Sequence, residues 1–120
     1  MVAQRIVALA EDQIATSTIT LEEQLRGWLT VLSKSDTPEQ LAVAYKRLRD
    51  VFDFFQSIDM FDFDNVCAVK YTELRTQYKR LGKMDLRIAA VAMVSGAILV
   101  TRNSQHFSQI AHLEIQDWSV

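Results

Sequence analysis

The chain has one cysteine, one proline and three glycines in 120 residues. A lone Cys67 cannot close an internal disulfide, so the fold has no covalent staple, and such cysteine usage fits a reducing cytoplasm. So few chain-breaking residues imply short connections between regular elements. No run approaches the roughly 18 apolar residues needed to cross a bilayer, and the first residues lack a secretory pattern. A soluble cytoplasmic protein with no membrane partner is therefore expected. Excess basic charge is also lacking: 13 Lys and Arg against 15 Asp and Glu leave a net charge of −2. Any contact with a polyanion must then come from a local cluster. Low-complexity tracts and repeats are absent.

What is present suffices for one real core. At 49% hydrophobic content, residues 1–120 form a single domain. Val2, Ile6, Val7, Leu9 and Ala10 suggest a helical face, and residues 13–17 a short strand. Thr20 opens a helix with an apolar stripe of Leu21, Leu25, Trp28, Leu29 and Leu32. Thr37 and Pro38 start the next, which carries Leu41, Tyr45, Leu48, Phe52 and Phe55. These two helices, residues 20–33 and 38–55, should pack as an antiparallel pair. A short strand over 57–61 and a helix capped by Asp62 or Asp64 follow, running to Tyr78. Cys67, on that helix, reads as a small buried apolar residue.

The segment LGKMDLRIAAVAMVSGAILVTRNSQHF, residues 81–107, is the most informative. Gly82 and Lys83 close one helix and Asp85 begins another, with Ile88, Ala89, Ala92 and Met93 at helical spacing until Gly96 stops it. Residues 97–101 form an apolar run of the kind buried in a parallel sheet, entering the polar loop Arg102, Asn103, Ser104, Gln105. Ligands of open α/β sheets bind beyond the carboxyl ends of strands, which is where that loop lies. A last strand is expected over 112–118.

This stretch resembles the PIN-domain family, named for the PilT amino terminus, and particularly its VapC-type toxins. Gly82, Asp85, Ile88, Ala89, Ala90 and Ala92, then Thr101, Asn103 and Phe107, match its pattern, with His106 standing where the pattern has an acid. Upstream, STITLEEQLRG (residues 17–27) resembles the family's strand–helix junction and places the functional acid at Glu23 rather than Glu22. The resemblance implies a three-layer α/β/α fold with a mostly parallel sheet. It also implies an endoribonuclease that uses Mg²⁺ or Mn²⁺, with RNA as substrate, an antitoxin partner and a homodimer. Glu23 and Asp85 would be the catalytic, metal-binding acids, with Asn103 as an auxiliary ligand or water holder. The family's first strand, which ends in an aspartate, has no counterpart before Glu23, so the chain resembles a PIN domain truncated at its N-terminus. The strands beginning at Gln13 and Ala97 would then flank a gap. An upstream start, a strand from another chain or a rearranged sheet would each close it.

Each acid also has a structural reading. Thr20 to Glu23 fits a capping box, with Glu23 bonding back to the Thr20 backbone; Asp85 fits an N-cap or first-turn acid; Asn103 fits a loop residue bonding nearby backbone. Arg102 and His106 could touch phosphate or merely cap. Arg75, Lys79, Arg80, Lys83 and Arg87 gather around Asp85 as a basic cluster or as a solvated, dipole-offsetting face. A non-enzymatic dimerisation or partner-binding module derived from the same fold is the rival to a ribonuclease.

Overall fold

The computed structural model describes residues 6–10, 13–100 and 107–116. The elements run β1 (Ile6–Ala10), β2 (Gln13–Ser17), α1 (Thr18–Ser33), α2 (Pro38–Gln56), β3 (Asp59–Phe61), α3 (Asn65–Gln77), α4 (Lys83–Ser95), β4 (Ile98–Val100) and β5 (Ile115–Gln116). None of the described helices is long and apolar enough to cross a membrane.

The described strands form one sheet in the order β3-β2-β1-β4-β5. β2 pairs with β3, and β4 with β5, in parallel. β1 is antiparallel to both of its neighbours, β2 and β4. The remaining four strands therefore share one direction, and the mostly parallel α/β sheet expected from the sequence is observed. The chain steps from β2 outward to β3, then back across the sheet to β4. The α1–α2 pair lies in the first connection and the α3–α4 pair in the second.

The helix expected within residues 2–10 is corrected where it can be seen, because residues 6–10 are a strand. IVALA is too short to display a decisive period, and its state is set by what it pairs with. Ile6 to Ala8 pair with β4, and Val7 to Ala10 with β2, across a bulge between Ala8 and Ala10. Two strand edges that would otherwise be buried without backbone partners, at about 1–3 kcal/mol per orphaned group, are thus satisfied from the middle. In the described sheet β1 of this chain occupies the place between β2 and β4.

Other boundaries shift modestly. The α1 helix begins at Thr18, two residues before the expected start, because Ser17 rather than Thr20 is its cap. Asp64 caps α3, accepting from the Cys67 backbone N–H at 3.0 Å. Gly96, at φ 65°, ends α4 with its N–H on the carbonyls of Ala92 and Met93. The last strand is only two residues long; His112 precedes it in a left-handed turn at φ 66°.

The core gathers around α4, with Leu86, Ile88, Ala89, Val91, Leu99 and Phe107 essentially inaccessible. Ile19 of α1 and Cys67 and Leu74 of α3 complete the same cluster. Burial pushes the Cys67 thiol up from its ordinary value, consistent with a packing residue.

Candidate functional site

The loops and helix starts at the carboxyl ends of the parallel strands carry the candidate residues. At the end of β2, Ser17 and Thr20 are fully buried. Ser17 Oγ accepts from the Thr20 backbone N–H at 3.1 Å and lies 3.1 Å from Thr20 Oγ1. Thr18, on the exposed side, donates its hydroxyl to the Phe61 carbonyl at 3.2 Å, tying the start of α1 to the end of β3. These hydroxyls hold the strand–helix junction; capping accounts for them.

The arrangement changes the reading of Glu23. The Thr20 N–H that a Thr20–Glu23 box would use is taken by Ser17, and Glu23 stands well inside α1 rather than in its first turn. Four residues after Ile19 and three after Thr20, both buried, it shares their face; its side chain is half-buried.

Asp85 is the third residue of α4, whose cap position is Gly82 and has no side-chain cap. Its Oδ2 lies 3.8 Å from where a Cβ on Gly82 would sit, so the carboxylate is held back over the helix start. There it benefits from the positive end of the helix dipole. Like Glu23 it is half-buried, and helical spacing aligns it with the buried Ile88 and Ala89. The first-turn reading of Asp85 is therefore correct as local structure.

Strand direction sets the starts of the two acid-bearing helices toward one edge of the sheet. α1 leaves the carboxyl end of β2, and α4, running back to feed β4 through the Gly96 turn, starts at the corresponding end of β4. The two helices touch, and Ile19 in the first turn of α1 sits in the cluster built on α4. Asn103, with Arg102 and His106, lies outside the described residues, as does Trp118.

Among the described residues, no group of three or more His, Cys, Asp or Glu is placed to hold a metal ion together. Glu23 and Asp85 offer oxygen only, which suits a hard cation. Mg²⁺ is commonly held by one or two carboxylates and completes its shell with water and substrate phosphate. The donor chemistry of these two side chains therefore fits such an ion.

One feature of this end of the molecule went unread in the sequence. The Tyr71 ring of α3 has the Arg75 guanidinium 5.8 Å and the Arg87 guanidinium 5.2 Å from its centroid. The Tyr71 to Arg75 spacing of four was a readable signal; the approach of Arg87 from another helix was not.

Residues 1–113 match the PIN domain family. The chain is 30% identical over 115 residues to the tRNA(fMet)-specific endonuclease VapC of Shigella flexneri, a match covering 92% of this chain and 80% of that protein. It is 34% identical over 111 residues to Ribonuclease VapC2 of Rickettsia felis, covering 89% and 75%. Among solved structures, DNA-bound VapBC from Salmonella typhimurium superposes with a TM-score of 0.69 at 30% identity, covering 87% of this chain and 74% of that one. VapBC2 from Rickettsia felis, bound to a DNA fragment from the promoter, gives 0.66 at 34% identity, covering 88% and 74%. The strand–helix junction carrying Glu23 and the helix–strand unit carrying Asp85 sit on a fold shared with these proteins, and the chain belongs to the PIN domain family, of the VapC type.

Proposed function

We propose that the protein is an endoribonuclease of the VapC type, working with a divalent cation, Mg²⁺ or Mn²⁺, and controlled by an antitoxin. The observation that carries this reading is the pair of half-buried carboxylates, Glu23 and Asp85, at the carboxyl edge of the parallel strands in a chain matching the PIN family over 113 residues.

Glu23 and Asp85 are the catalytic acids, and together they bind the cation through carboxylate oxygens. When bound, a divalent cation at such a site neutralises phosphate charge and lowers the pKa of an attacking water. The first turn of α4 positions Asp85, and the positive end of the helix dipole favours a phosphate nearby. Packing of Ile19 against α4 fixes the two helices relative to one another. Asn103 holds a water or a phosphate oxygen; its amide carries no charge and adds little to cation affinity.

An antitoxin segment fits the apolar side of α1, where Leu21, Leu25 and Leu29 line an open groove beside Glu22 and Arg26, and Leu29 is 54% exposed. The active assembly is a homodimer.

The rival, a partner-binding module without chemistry, draws its support from β1. An antiparallel strand occupies the middle of the sheet, and only two acids serve the site among the residues proposed for it. Incubation of a mixed RNA pool with Mn²⁺ or Mg²⁺ separates the two. Cleavage that falls at least ~100-fold in both Glu23→Gln and Asp85→Asn supports the nuclease; equal cleavage by parent and variants, or none by the parent, supports the module.

A further inference from the structure

We infer that Arg75, Lys79, Arg80, Lys83 and Arg87 form a track for the RNA backbone, with Arg75 and Arg87 held on Tyr71 as its fixed phosphate clamp. The inference rests on the ribonuclease reading above and assigns the residues that position the strand.

The surface cations of this protein fall into two kinds. Arg26, Lys46, Arg47, Arg49 and Lys70 each contact a carboxylate three or four residues away on their own helix. The five cations from Arg75 to Arg87 contact none among the described residues, and elsewhere only Lys34 shares that condition. The uncompensated charge is therefore concentrated where α3 ends and α4 begins, around Asp85.

Arg75 and Arg87 are also pre-oriented. Both guanidiniums lie over the Tyr71 ring, and Phe63 fixes that ring edge-on, with centroids 6.3 Å apart. Arg87 is half-buried, and its one hydrogen bond among the described residues is a weak one of 3.6 Å to Met84 Sδ. A guanidinium stacked on an aromatic ring keeps most of its five N–H donors available, and less freedom is lost when an anion arrives. Tyr71 Oη is buried with no hydrogen-bond partner, a further polar group at this spot with its capacity unused. Two like charges gathered at one ring, with no carboxylate partner among the described residues, raise the local positive potential that an anion would meet.

Geometry sets which phosphate is met. Arg87 follows Asp85 by two residues, so the pair point to roughly opposite sides of α4, about a helix diameter of 10–12 Å apart. A strand presenting its scissile phosphate to Asp85 and crossing the start of α4 brings a neighbouring phosphate, not the scissile one, to the clamp. Backbone contacts of this kind position without reading sequence.

The test uses the full chain carrying Asp85→Asn, which binds without cutting, and a fluorescein-labelled oligouridylate read by anisotropy across a salt series. Each phosphate contact on a single strand contributes about 0.7 to the slope of log affinity against log salt. Arg75→Gln with Arg87→Gln, which removes the clamp on one phosphate, should therefore flatten the slope by about 0.7, and Lys79→Gln with Arg80→Gln, exposed and outside the packing, should flatten it with no change in melting temperature. Lys46→Gln with Arg47→Gln, which removes the same charge from α2, should leave it unchanged. A parent that fails to bind, basic variants with the parent slope, or an equal effect of the α2 control overturns the track. The unsubstituted chain is assayed for cleavage in parallel: slope changes without cleavage sink the nuclease reading and leave the track standing.

Discussion

Helices α2 and α4 are held in place by opposite means. α2 spans 19 residues and buries three of them, Ala44, Val51 and Phe55. Its order is local: Thr37 accepts from the Gln40 N–H while the Gln40 side chain accepts from the Thr37 N–H at 3.3 Å, and Pro38 opens the first turn. Lys46 to Asp50 and Arg49 to Asp53 add exposed ion pairs, which solvent screens and which contribute little each. α4 spans 13 residues, has no side-chain cap and buries six, from Leu86 to Ala92. One helix carries its reasons for being helical in its own sequence; the other is helical because the protein closes around it. The difference bears on the proposed site, since Asp85 sits on the buried helix while the exposed one leaves Val43, Tyr45 and Phe52 on the surface.

That contrast predicts the largest effect at Ile88, which is fully buried. Ile88→Ala should cost about 2–5 kcal/mol, through lost burial and the cavity left behind, read as a lower urea midpoint at an unchanged m-value. Phe52→Ser, at a residue of comparable bulk on α2 that is 51% exposed, should shift stability by no more than about 0.5 kcal/mol. Equal losses would erase the distinction between the helices.

Next comes the stop signal of α4. Gly96 adopts φ 65° with open space around a would-be Cβ, so Gly96→Ala meets no clash and isolates the backbone cost of a left-handed residue, about 1–2 kcal/mol. Thermal unfolding of that variant beside Thr37→Ala, expected to lose about 1 kcal/mol by removing the cap of α2, compares the two helix ends directly. A smaller loss at Gly96 than at Thr37 would show that α4 depends less on its stop than α2 depends on its cap.

These same features explain what the sequence disclosed. The start of α2 and the turn at Gly96 were readable because capping and left-handed glycine are signals confined to a few residues. The candidate acids stand out only through the order of two motifs; spacing alone favours a capping box for Glu23, and it takes Ser17 occupying the Thr20 N–H to exclude it. β1 was misread because IVALA satisfies both periods, and its choice depends on β2 and β4, which lie apart in sequence. The ring clamp needs Arg87 from α4 on Tyr71 from α3, and no local pattern carries that. Local chemistry is thus legible and pairing across the sheet or between helices is not.

The smallest effect concerns the charge network of α2 and tests whether it matters at all. The Lys46 ammonium, bonded to Asp50, holds the Asp50 carboxyl below its ordinary value of 3.8, with Arg47 adding to the effect. A depressed folded value means the native state prefers the ionised form. Its contribution is present above about pH 4 and is lost as pH falls through the folded value. Asp50→Asn should then melt slightly below the parent at pH 7, and the gap should narrow as pH falls below 3.8. The gap at pH 7 should shrink in high salt, because the pair is exposed and screened. A gap that persists unchanged at low pH would place the role of Asp50 in packing rather than charge, and α2 would then owe less to local electrostatics than its sequence suggests.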